Sequence, residues 1–233
     1  MASTERRYTP LPVEARGDSS SPKIGGYAAV FNRESQNLGG FVERLNAGVF
    51  NDSKSRGWPD VMARYNHDDN RLLGTTGAGT LVLRVDDTGL DYEVVPPSSR
   101  ADVVELVVRG DVRKSSFAFR TLNDDWTVSD QGYPLRTLLS VQLVDVAPVN
   151  TPAYTDTSAG KRSTWLLPEA RGALESLAAK FDAEMDDVRR LAADDDLRRF
   201  FVRTDGRSPG PKPMAAAAAA SMLAQRLAEQ QPI

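Results

Sequence analysis

The chain of 233 residues has no cysteine and one histidine, His67. Without cysteine there is no disulfide framework, no thiol nucleophile, no zinc finger and no cysteine-held iron–sulfur centre. With one imidazole, a single chain cannot place two histidines on a metal, the HExxH arrangement included. Neither sign of charge dominates: 29 Lys and Arg face 32 Asp and Glu, a net charge of −3. That balance argues against a strongly basic nucleic-acid binder. No apolar run approaches the roughly 18 residues that suggest a membrane span. The opening stretch MASTERRYTPLPVEARGDSSS lacks the apolar segment of a secretory signal. The expectation is a cytoplasmic protein that engages neither nucleic acid nor membrane.

What is present divides into three zones. Residues 1–22 are rich in Pro, Ser and Arg and read as a flexible N-terminal arm. Residues 23–157 alternate apolar and polar side chains between Gly and Pro punctuation, the signature of strands. Leu81, Leu83 and Val85, then Asp86-Asp87-Thr88-Gly89, then Leu90, Tyr92 and Val94 predict a β-hairpin. Ser99 is read as a helix N-cap, with Asp102 in the first turn, Val103, Leu106 and Val107 as the apolar stripe, and Gly110 at C′. Further strands are expected at Val61–Tyr65, Ser115–Leu122, Trp126–Val128 and Leu138–Val146. The fold class is therefore α+β: a mainly antiparallel sheet of six or more strands, curved or closed into a β-barrel, with inserted helices. Residues 158–233 form a helical C-terminal tail. Leu174, Leu177, Ala178, Phe181, Met185 and Val188 follow helical spacing. A Pro–Gly break at Gly206–Pro213 precedes an Ala-rich last helix from Ala215. The tail reads either as a solvated helical linker or as a partner-binding segment.

Three residues carry the candidate chemistry. His67 follows a strand in Tyr65-Asn66-His67-Asp68-Asp69, either as a general base or as an ordinary loop histidine bonded to a carboxylate. In Ser115-Ser116-Phe117-Ala118-Phe119, strand alternation puts Ser115 on the side of the two phenylalanines. Ser116 points the other way, beside the small Ala118, and is the better nucleophile. Asp145 stands inside the apolar strand Leu143–Val149, where a carboxylate is costly unless paired. Its partner is His67, in which case it orients the ring, or a base such as Arg64 or Arg136.

The middle zone resembles the prohead (procapsid maturation) serine proteases of tailed bacteriophages. The resemblance runs over about residues 24–157 as motifs in order. These are Gly26-Tyr27-Ala28-Ala29-Val30-Phe31-Asn32, the "E-x-I-x-P-G-A-F"-like Glu43–Phe50, Asn66-His67-Asp68 with Leu73-Gly74, and Gly79-Thr80-Leu81 with Asp87-Thr88-Gly89-Leu90. Gly110 then precedes Ser116-Phe117-Ala118-Phe119, and Asp145-Val146-Ala147-Pro148-Val149-Asn150-Thr151-Pro152-Ala153-Tyr154 closes the series. The family often has Gly-Met-Ser-Phe-Gly-Phe where this chain has Lys114–Phe119. The resemblance implies a β-barrel related to the herpesvirus assembly protease (assemblin), so that residues 23–157 would be the protease domain and the tail scaffold-like. It places Ser116 as nucleophile, His67 as base and Asp145 as third member. The herpesvirus relatives use a second histidine there, which this chain lacks.

By the same resemblance the expected activity is serine endopeptidase cleavage of scaffold protein, of capsid-protein precursor segments, and of the chain itself. No metal or cofactor is required. Partners would be the major capsid protein and the scaffold protein, with self-association, inside the assembling procapsid in the host cytoplasm. The alternative is a non-enzymatic scaffold or tube-like assembly component on a related barrel.

Overall fold

The computed structural model describes residues 4–18, 20–130, 132–150 and 171–202. Nine strands form one sheet: β1 (Glu5–Asp18), β2 (Ser21–Val30), β3 (Val42–Leu45), β4 (Met62–Arg64), β5 (Leu72–Thr75), β6 (Leu81–Val85), β7 (Gly89–Val94), β8 (Lys114–Val128) and β9 (Pro134–Val149). Their order is β5-β4-β9-β8-β1-β2-β7-β6, and β3 pairs with β9. Only β3 and β4 run parallel to their partner, β9; the other pairs are antiparallel. The two ends of the order approach one another. Thr75 N donates to Thr80 Oγ1 at 3.0 Å, and a side chain on Gly74 would meet Val94 at 2.6 Å. The sheet is thus a nearly closed barrel.

The expected hairpin is β6–β7, in register from Leu81↔Val94 to Val85↔Leu90. Asp86 closes its turn by accepting from the amides of Thr88 and Gly89 at 2.8 and 3.0 Å. Gly89 is fixed by space. A Cβ there would lie 1.9 Å from the carbonyl oxygen of Ala29 on β2. Gly89→Ala is expected to destabilise the barrel by about 1–3 kcal/mol through overpacking, read as a lower urea midpoint. An unchanged midpoint would mean that this seam gives way freely.

Three expectations are corrected. The described residues of 1–22 are not an arm: Glu5–Asp18 is a central strand, paired with β8 from Glu5 to Pro12 and with β2 from Val13 to Asp18. Its alternation was hidden because the inward positions Glu5, Arg7 and Thr9 are polar. They are buried because Arg7 donates to Glu43 at 2.7 Å and to Glu5 at 2.8 Å, and Arg136 bonds both carboxylates. Second, Ser99 caps nothing. Ser98–Arg100 is a 3-10 turn and helix α2 spans Ala101–Arg109; α1 is the short Asn51–Ser55. Gly110 does end α2 in the left-handed region, at φ 79°.

Third, the described part of the C-terminal zone is helical as expected but is not a solvated linker. Helices α3 (Arg171–Lys180), α4 (Met185–Ala193) and α5 (Arg199–Val202) follow in order, with Asp182 at φ 47° in the break between α3 and α4. Leu174, Leu177, Val188 and Leu197 pack on Phe41 and Trp126 in a second core. Trp126 Nε1 donates to Ser176 Oγ at 3.1 Å, and Lys180 Nζ to the Trp126 carbonyl at 2.6 Å. The apolar stripe seen in the sequence is covered by the chain's own barrel. The Pro–Gly break and the Ala-rich helix lie outside the described residues.

Candidate active site

The site is built where three strands meet. On β8 and β9 the register pairs Ser116 with Ala147 and Ala118 with Asp145. On the other side of β9, Met62 of β4 pairs with Asp145 and Ala63 with Val146. Beyond Arg64 the chain turns through a 3-10 segment, Tyr65–His67. Asn66 and His67 hold φ of 55° and 56° there. Asn and His are among the side chains that enter this region most readily. Asp68 N to Tyr65 O (3.1 Å) and Tyr65 N to Arg71 O (3.0 Å) tie the turn down. The turn swings the imidazole back over β9 toward β8.

The three residues singled out in the sequence come together. His67 Nδ1 lies 2.5 Å from Asp145 Oδ1, and Nε2 lies 2.6 Å from Ser116 Oγ. The tautomer with its proton on Nδ1 satisfies both contacts, donating to Asp145 and accepting from Ser116. Ser115 takes the opposite face, with its hydroxyl 3.2 Å from the Tyr92 hydroxyl in the core. The two adjacent serines thus face opposite ways, in keeping with strand alternation. Asp145 has two partners rather than one: Arg64 bonds Oδ2 while His67 takes Oδ1. Arg64 also pairs with the exposed Asp69. Arg136, the other base considered for Asp145, instead bonds Glu5, Glu43 and Asp124.

The surroundings keep the imidazole neutral. Burial comes first, followed by the positive charges of Arg6 and Arg64; together they push the His67 pKa down to about 3. A neutral ring next to a hydroxyl is the state a general base needs at rest.

Ser116 points away from the phenylalanine side but does not reach solvent. It is fully buried. The cover includes β1, where Tyr8 pairs with Ser116 and the Arg7 carbonyl oxygen lies 2.9 Å from Ser116 Oγ, competing with His67 Nε2 for the single hydroxyl proton. Arg6 and the Arg7 carbonyl belong to β1, whose polar inward positions do not show a strand in the sequence. Between β1 and the end of β2 opens a cleft of about 330 Å³, lined among others by Arg6, Tyr8, Ala29, Val30, Lys114 and Phe117. Among the described residues no group of three or more His, Asp or Glu is placed to hold a metal ion. No helix among them is long and apolar enough to cross a membrane.

Three comparisons bear on this arrangement. The sequence pattern of a family described as caudovirus prohead serine protease matches residues 9–166. Among solved structures, the bacteriophage T4 capsid assembly protease, gp21, superposes with a TM-score of 0.43 at 9% identity. The alignment covers 64% of this chain and 96% of that one. No curated protein matches.

Proposed function

The chain belongs to the caudovirus prohead serine protease family, and from that membership we propose that it is a serine endopeptidase with Ser116 as nucleophile, His67 as base and Asp145 as the group that orients the ring. One observation carries the reading: Asp145, His67 and Ser116 stand in a hydrogen-bonded line of 2.5 and 2.6 Å. A purely structural assembly component on the same barrel would have no use for that line.

The steps follow from the contacts. His67 Nε2 takes the Ser116 proton as Oγ attacks a peptide carbonyl. Asp145 stabilises the imidazolium that forms. The imidazolium then protonates the leaving amine, and an ester to Ser116 remains. Water, deprotonated by His67, hydrolyses the ester and restores the hydroxyl. Substrates are segments of the scaffold protein and of the capsid-protein precursor, and the chain itself, inside the assembling procapsid. No metal or cofactor takes part in any of these steps.

The test combines mass mapping with processing. Full-length protein is treated with a fluorophosphonate, which esterifies an activated serine with loss of fluoride. The same chain is co-expressed with the capsid precursor, and the fragments are weighed. The expected result is an adduct on Ser116 together with discrete precursor fragments. An adduct on a different serine, or an intact precursor, would overturn the reading.

A further inference from the structure

We propose that Arg64 is a positioning residue of this site: by holding the Asp145 oxygen that His67 leaves free, it fixes the carboxylate and sets the basicity of the imidazole. The inference rests on the catalytic reading of Ser116, His67 and Asp145.

Arg64 is the last residue of β4, two positions from Met62, which pairs with Asp145. The side chain is almost wholly buried, and so is Asp145. Its two terminal nitrogens are divided, Nη2 to Asp145 Oδ2 and Nη1 to Asp69 Oδ1. Its Nε, also buried, has no hydrogen-bond partner. The side chain is therefore placed for the two carboxylates, with the Nε–H left over. A planar guanidinium with two carboxylate anchors has little freedom to rotate. It passes that rigidity to Asp145, whose Oδ1 is left directed at Nδ1.

The charge argument is separate from the geometric one. A buried carboxylate next to an imidazole ordinarily stabilises the protonated ring. Here the full positive charge beside Asp145 is Arg64, so the ion pair is Arg64–Asp145 and the ring need not be charged. Four strands bring groups to the ring: Arg6 from β1, Arg64 from β4, Ser116 from β8 and Asp145 from β9. Burial depresses the imidazole pKa most, and the charges of Arg6 and then Arg64 add to it. Removing Arg64 leaves the Asp145 charge facing His67 alone and raises the pH at which the ring protonates.

The single histidine makes this directly measurable. In full-length protein labelled with 15N-histidine, only one imidazole contributes ring signals. The unaltered chain should show the Nδ1–H tautomer and titrate well below the ordinary value of about 6.5. Arg64→Gln should move that titration up by about one pH unit or more. Arg64→Lys keeps the charge and loses the fork, so the titration should stay low while fluorophosphonate labelling at low reagent concentration slows by about 10–100-fold. Unchanged titration in Arg64→Gln together with labelling of Arg64→Lys within about twofold of the parent would overturn the proposal. Where Arg64→Gln does not fold, Arg64→Lys decides alone by its labelling rate. Ser116→Ala, run alongside, tests the catalytic reading by itself: if that variant still processes precursor, the reading falls, while the ring titration continues to judge what Arg64 does to His67.

Discussion

Ser116→Ala is expected to lower precursor cleavage by about 10⁶-fold, to the level of background hydrolysis. The hydroxyl is the proposed electron-pair donor, and nothing adjacent replaces it: Ser115 is turned into the core against Tyr92. His67→Ala should cost about as much, and the double variant little more than either single one, because members of such a line act as a unit. Co-expression with the capsid precursor and quantification of fragments measures both. The variants must be shown to fold. Alanine at position 116 removes the hydroxyl that His67 Nε2 faces, at about 1–3 kcal/mol for a buried unsatisfied group. A folded Ser116→Ala chain that cuts normally would remove Ser116 from the mechanism.

The largest effect on stability is expected at Arg136. It is completely buried and donates to Glu5 at 2.7 Å, Glu43 at 3.0 Å, Asp124 at 2.6 Å and Thr121 at 3.0 Å. Arg136→Met leaves Glu5 and Glu43 buried with Arg7 as their remaining cation. Breaking a buried charge network in this way costs about 3–5 kcal/mol, or a melting temperature lower by about 10 °C. Removing a carboxylate at the same time, as in Arg136→Met with Glu43→Leu, should return part of that loss, because fewer desolvated charges stay unpaired. The network also has a pH signature. Burial raises the Glu5 pKa, but Arg136 and Arg7 outweigh it and hold the carboxyl below its ordinary 4.5. A depressed acid stabilises the fold above that value and loses its contribution as pH falls through the lowered pKa. Urea titrations from pH 6 downward should show the decline in the parent and a shallower one in Arg136→Met. A loss below about 1 kcal/mol at pH 7 would mean that the network is energetically neutral.

What could be read from the chain alone depended on how chemistry and periodicity combined. The hairpin was legible because Leu81–Val94 alternates on both sides of a turn in which an aspartate caps two amides. Ser116, His67 and Asp145 were legible through scarcity: one imidazole, a serine facing away from two phenylalanines, and one acid in an apolar strand. For Asp145 the sequence allows His67 or a base such as Arg64 or Arg136. The structure holds His67 and Arg64, since a carboxylate has two oxygens and each takes one partner. β1 was illegible for the opposite reason. Its inward positions carry Glu5 and Arg7, and only the distant Glu43 and Arg136 make those charges tolerable there. The polar run Asn123-Asp124-Asp125 likewise divided β8 into two expected strands, whereas register shifts near Asn123 carry one strand through. The stripe on α3 and α4 was visible, but its cover, Phe41 and Trp126, lies far away in sequence.

The covered hydroxyl of Ser116 has a kinetic corollary. A group with no exposed surface meets a reagent or a peptide only during moments when the barrel locally opens. Dilute reagent then reports the product of the open fraction and the intrinsic rate. Concentrated reagent outruns reclosing, and the observed rate levels off at the opening rate itself. The height of that plateau is the frequency with which β1 and the His67 turn part over β8. On the proposed assignment of Ser116 as nucleophile, it sets an upper limit on turnover that no improvement in proton transfer can raise.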